Sequence, residues 1–216
     1  MYGLRTAYIV MCSVQVPFNI VYILLFWRHA GEQAAAEALG GLYPVIAFVY
    51  YLVLFSIGIT IVVKSIGMTE TDVREKAPQL WFSLKIGMIP FFVVNFLSIA
   101  AMLLLLTVAS RGIFIFGVLL TIPFLAGATW AAMLPGSIIG VRAIRALIAD
   151  GVMPSKHCML HLVAQFIFCA DVLDCAYITA IYRKRNRLLC GIVSVLYLAA
   201  AIAVAAVCVM VVRVWI

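Results

Sequence analysis

The chain has 216 residues, of which 67% are hydrophobic and 11% are charged. A soluble domain of this size has about a quarter of its residues charged, so the composition excludes an ordinary soluble protein. The formal net charge of +7 indicates anionic lipid headgroups as partners, and the sequence offers no folded basic surface that would grip nucleic acid.

Six hydrophobic segments follow one another along the chain. A helical run of about 20 apolar residues is long enough to cross a hydrocarbon core of about 30 Å. We therefore predict an all-α fold, a polytopic bundle of six transmembrane helices that forms a single integral membrane domain over residues 1–216. The predicted helices cover residues 6–27, 42–63, 86–109, 112–134 (extending to 149), 157–182 and 188–212.

The positive charges leave the number of spans open. Six spans place nine Lys and Arg residues on one side of the membrane and six on the other, a poor fit to the excess of positive charge expected on the cytoplasmic side. If segment 157–182 re-enters on the same side or lies in the interface, the division becomes twelve to three. We favour six spans, with five spans plus one re-entrant or interfacial helix as the alternative.

Segment 157–182 differs from the others because it carries ionisable side chains inside an apolar run. On a helix of 100° per residue its polar side chains fall on one half of the surface. They are His157, His161, Gln165, Asp171 and Asp174. Carboxylates at membrane depth are costly and usually face a cavity, a partner or an ion path. We predict a polar intramembrane site around Asp171 and Gln165; a plainer interpretation pairs Asp174 with Arg183, Lys184 or a base from another helix.

Two asparagines lie within other predicted helices. Asn19 belongs to the first segment and Asn95 to the third, and each follows a Pro-Phe pair. Amides in such positions often form hydrogen bonds between membrane helices. We expect this bridging role, and the alternative is that both side chains line a cavity with Asp171.

The two histidines of segment 157–182 are the only candidates for a metal site. His157 and His161 are four residues apart and share a helix face, as zinc ligands often do. Asp171 would lie about 15 Å further along the same straight helix, too far to complete the site. We therefore predict no metal, no cofactor and no catalytic residues, and we do not expect an enzyme.

A basic cluster follows the polar segment. It comprises Arg183, Lys184, Arg185 and Arg187. Such a cluster attracts anionic lipid by about 1 kcal/mol per charge near the surface. The alternative is a signal that only sets membrane orientation.

Two groups of motifs together resemble a family of small polytopic membrane proteins of unknown function, mostly from Gram-positive gut bacteria. The motifs are Lys85 with Ile89-Pro90-Phe91 and Asn95-Phe96, and His161 with Gln165-Phe166 and Asp171. The resemblance implies a bacterial cytoplasmic membrane as the location and brings no activity with it.

These observations predict a multi-pass integral membrane protein of unknown specific role. The first hypothesis is a small transporter or transporter component with its polar site around Asp171. The second is a non-catalytic membrane subunit or regulator that docks a partner helix, either from another membrane protein or from a second copy of the chain. The third is an intramembrane metal-dependent enzyme that uses His157 and His161.

Overall fold

The computed structural model describes residues 1–29, 32–93 and 115–215. Within these ranges the chain is helical and contains no strand, so the predicted all-α class is confirmed. The helices are α1 (Tyr2–Arg28), α2 (Gln33–Ile66), α3 (Glu70–Gly87), α4 (Ile115–Ala149), α5 (Cys158–Ala164), α6 (Ala170–Ile181) and α7 (Arg187–Trp215), with a 3-10 turn at Ser155–His157.

The described chain forms two compact units. Unit 1 comprises Met1–Met68 and Ile86–Ile138, and unit 2 comprises Thr69–Lys85 and Ile139–Ile216. Helix α4 contributes its first part to unit 1 and its last turns to unit 2. The helix continues through Pro135 and Gly136 without interruption.

Unit 1 is built on an antiparallel pair of helices, α1 and α2. Tyr50 of α2 donates its hydroxyl hydrogen bond to the carbonyl oxygen of Met11, and Gly58 lies further along α2 against Tyr8. The buried Tyr8 hydroxyl donates a 2.7 Å hydrogen bond to the carbonyl oxygen of Ala132 in α4. This bond satisfies a polar group that would be costly to bury alone.

Helix α3 supplies unit 2 with one long buried face. Its start is capped by the Thr69 hydroxyl, which accepts a hydrogen bond from the Asp72 backbone N–H at 3.3 Å. Further along, buried side chains recur at helical spacing: Val73, Ala77, Pro78, Leu80, Trp81, Phe82, Leu84 and Lys85. Because Trp81 and Lys85 are four residues apart, both side chains point from this face into the unit.

The number of membrane spans needs correction. Among the described residues only two helices are long and apolar enough to cross a membrane, Val45–Ile66 and Ala126–Ala149. The predicted helix 157–182 is divided into α5 with 7 residues and α6 with 12, and each is shorter than the roughly 20 residues that a span requires. The predicted count of six spans, and the count of five spans in its alternative, are therefore wrong for this structure.

Part of the predicted helix pattern lies outside the described residues. This applies to residues 94–109 of the predicted third helix and to residues 112–114 of the fourth.

Candidate functional site

Helices α5 and α6 form an antiparallel hairpin inside the predicted polar segment. Residues 165–169 connect them, and the backbone N–H groups of Phe166 and Ile167 donate to the carbonyl oxygens three residues earlier, at 3.0 and 3.2 Å. Cys169 then adopts a φ of 66°, a backbone conformation that is rare for a residue with a side chain. The chain therefore reverses direction where the sequence pattern predicts a continuous helix.

The reversal brings together polar side chains that a straight helix would keep apart. The Nδ1 atom of His161 lies 2.5 Å from Oδ1 of Asp174, and the amide of Gln165 donates a 2.7 Å hydrogen bond to Oδ2 of the same carboxylate. On one continuous helix, the 13 residues between His161 and Asp174 would separate them by about 20 Å. The hairpin thus creates a contact that the predicted helix forbids.

Helix α3 joins this group through two side chains. The indole N–H of Trp81 donates a 3.0 Å hydrogen bond to Oε1 of Gln165, and the Lys85 ammonium donates a 2.6 Å hydrogen bond to Oδ2 of Asp171. The Lys85 and Asp171 side chains are each 2% exposed, so this ion pair is almost fully removed from solvent. We call these six residues the polar network: Trp81, Lys85, His161, Gln165, Asp171 and Asp174.

Opposing effects set the electrostatics of the ion pair, which lies outside the two helices that are long enough to span a membrane. Burial raises the pKa of Asp171, against the opposing influence of Lys85 and of the backbone N–H groups at the start of α6. Burial likewise lowers the pKa of Lys85, while Asp171 opposes the shift. The charged pair therefore depends on its direct contact, because each ion alone would lose its solvation without compensation.

The network requires a position without a side chain on α4. A Cβ atom at Gly140 would lie 2.5 Å from Nε1 of Trp81 and 2.6 Å from Oε1 of Gln165. Both distances are shorter than a Cβ atom tolerates, so the glycine leaves the space in which the Trp81–Gln165 hydrogen bond forms.

An aromatic group lines one side of the network. The His161 ring stacks on the Tyr177 ring with centroids 6.0 Å apart, and the Tyr182 ring meets both edge-on. The exposed His157 ring lies 6.5 Å from the His161 ring. Across the described ranges, no group of three or more His, Cys, Asp or Glu side chains could hold a metal ion.

The structure thus brings His161, Gln165, Asp171 and Asp174 into one network, although their role in transport stays a prediction. Asp174 contacts Gln165 and His161, a base on another helix, rather than Arg183 or Lys184. Asn95 lies outside the described residues, as does the Asn19 side chain. The basic cluster occupies the connection from α6 to α7, where Arg187 donates to the Ala180 carbonyl oxygen at 3.3 Å.

Three members of this arrangement are not among the predicted site residues. They are Trp81, Lys85 and Gly140. One signal was available for Lys85, because it belongs to the motifs that carry the family resemblance together with Asp171. A lysine at the border of an apolar run is also a natural partner for a carboxylate inside another run.

Substituting Gly140 by alanine should destabilise the protein by about 1–3 kcal/mol, because the added Cβ atom must displace Trp81 or Gln165. Chemical unfolding followed by circular dichroism measures this effect. Gly127→Ala in the same helix is the matched control, since a Cβ atom there meets nothing within 4 Å. Equal stability of the two variants would contradict the close contact at Gly140.

The Lys85–Asp171 pair should behave as a coupled unit. Lys85→Met or Asp171→Leu alone should cost about 3–5 kcal/mol, since each leaves a buried charge without its partner. The double variant should be more stable than either single variant, which a double-mutant cycle of unfolding free energies tests. Lys76→Met, which removes an exposed ion pair with Asp72, should cost less than about 1 kcal/mol. Additive single effects would refute the coupling.

No curated protein and no solved structure matches the chain. A family model described as a family of unknown function (DUF6652) matches residues 7–187. The predicted resemblance to an uncharacterised family is confirmed to this extent, whereas the membrane location and the Gram-positive origin of that family stay predictions. Because the match covers most of its length, the chain belongs to the DUF6652 family of unknown function.

Proposed function

We propose that this chain is embedded in a bacterial cytoplasmic membrane and acts as a small transporter or a transporter component, with the polar network as its site. Helix α2 carries the argument for the membrane. Its stretch Val45–Ile66 has a mean hydropathy of 2.5, yet only 17% of that window is buried inside the protein. A core helix of a soluble protein would be covered by its own chain. Because α2 is not covered in this way, we propose that lipid surrounds its apolar surface.

The second candidate helix is a weaker argument. The window in Ala126–Ala149 is 61% buried and has a mean hydropathy of 1.5. Such a helix fits the interior of a protein as well as a bilayer. The membrane proposal therefore depends on α2.

The observation that carries the transport role is the buried Lys85–Asp171 pair beside an interrupted helix. Buried ion pairs are weak contributors to stability because desolvation costs several kcal/mol per ion. Their presence in an apolar protein favours a role in binding or in moving charge. Transporters often form their sites where helices are interrupted, as α5 and α6 are at residues 165–169. We propose that the network binds its ligand without transforming it.

A non-catalytic membrane subunit or regulator is the second candidate. The start of α7 favours it, because Leu188 is 80% exposed and Val195 and Leu196 are 67% and 62% exposed. A partner helix, from another membrane protein or from a second copy of this chain, would cover such a face.

Membrane embedding predicts that the chain stays in the membrane pellet after alkaline carbonate extraction. Leu52→Arg with Ile59→Arg should abolish this retention, because the two exposed positions lie within the proposed span and charges there cost about 5–7 kcal/mol together. Val152→Arg, at an exposed position outside the span, should leave retention unchanged. Release of the unaltered chain by carbonate would contradict the membrane proposal.

Transport predicts ion movement that depends on Asp171. Purified chain in vesicles loaded with a pH-sensitive dye should dissipate a proton gradient faster than empty vesicles, and Asp171→Asn should abolish the difference. Asp72→Asn, which changes an exposed carboxylate of α3, should leave the rate unchanged. A wild-type rate equal to that of empty vesicles, together with a co-purifying membrane protein lost in a Leu188→Arg variant, would favour the subunit role instead.

A further inference from the structure

The outer surface of the α5–α6 hairpin is apolar and exposed. Its exposed side chains are Met159, Leu160, Val163, Phe166, Ile167 and Leu173. Met159 and Leu160 are 73% and 68% exposed, so the described part of the chain does not cover this surface. A soluble protein rarely leaves so many neighbouring large apolar side chains in water.

The two ends of the hairpin differ in charge. The connection at residues 165–169 contains no ionisable side chain except the Cys169 thiol. At the opposite end, Lys156 and His157 precede α5, and the basic cluster follows α6. These two stretches lie close together because the helices are antiparallel, with the Tyr182 ring 6.4 Å from the His161 ring. No acidic residue occurs in 155–162 or in 182–190.

This gradient from a basic end to an apolar tip matches the gradient from headgroup to acyl chain in one leaflet. We propose that the hairpin inserts tip first into an anionic bilayer, with Phe166 and Ile167 among the acyl chains and the basic cluster bound to phosphate headgroups. The occupant of this surface is thus lipid, and the inference rests on the membrane embedding proposed above.

The dimensions and the aromatic residues support partial insertion. Helix α6 has 12 residues and is about 18 Å long, against a hydrocarbon core of about 30 Å, so the hairpin enters the core without crossing it. Tyr177 and Tyr182 lie toward the basic end, where aromatic side chains with a polar tip prefer the membrane interface.

Depth of insertion is measured with a single bimane label on an otherwise cysteine-free full-length chain in phosphatidylcholine–phosphatidylglycerol vesicles. A label at Ile167→Cys should be quenched by lipids with brominated acyl chains and protected several-fold from aqueous iodide. The control Val152→Cys lies in the turn after α4, is 44% exposed, and should show the reverse. Equal iodide access at both positions overturns the insertion.

The headgroup contact is tested by the lipid that remains bound through purification in detergent. Phosphatidylglycerol should be retained over phosphatidylcholine, and replacing Arg183, Lys184, Arg185 and Arg187 by Gln should remove that preference. Arg74→Gln with Lys76→Gln, which removes exposed basic residues of α3, should preserve it. Unchanged retention after the fourfold replacement overturns the headgroup assignment.

The two proposals fail in different ways. A chain that carbonate extracts contradicts membrane embedding and the hairpin insertion with it. A chain that stays in the membrane while Ile167 remains accessible to iodide contradicts only the insertion.

Discussion

The contact between Lys85 and Asp171 is the constraint on which unit 2 depends. Each side chain is 2% exposed, so neither charge keeps its hydration and each must be compensated by the other. A 2.6 Å contact across helices requires that α3 and α6 be held with little freedom. The hydrogen bond from Trp81 to Gln165 and the space left by Gly140 serve this requirement, because they fix α3 against the hairpin one turn away.

The hairpin forms because the helix is interrupted at a point that the usual sequence signals for turns do not mark. Residues 165–169 read Gln, Phe, Ile, Phe and Cys, with neither glycine nor proline to mark a turn. A helical periodicity that continues across them predicts one long helix. The structure instead places Cys169 at positive φ and satisfies the nearby backbone through short-range hydrogen bonds. Tertiary contacts compensate for this unusual backbone, because the reversal lets the Asp174 carboxylate accept a hydrogen bond from Gln165 and contact His161.

The helical class and the polar residues of the network were predictable, whereas their partners were not. Asp171, Asp174, Gln165 and His161 stand out because polar side chains are rare in apolar runs. Lys85 lies 86 positions from Asp171 along the chain, and no local pattern encodes that pairing. The span count failed for a related reason. Hydropathy measures how apolar a segment is and not where it reverses, so 157–182 was counted as a span although it holds two short helices.

Helix α3 contacts the hairpin through two polar side chains that are four residues apart on α3. Trp81 contacts Gln165, and Lys85 contacts Asp171. Two such contacts fix the register of α3 against the hairpin. Advancing α3 by one residue along its helical screw would turn both side chains away from their partners, because each residue rotates the helix surface by about 100°. A shift of one full helical turn would place Lys85 opposite Gln165 or Trp81 opposite Asp171, so the observed register is the one that keeps both contacts.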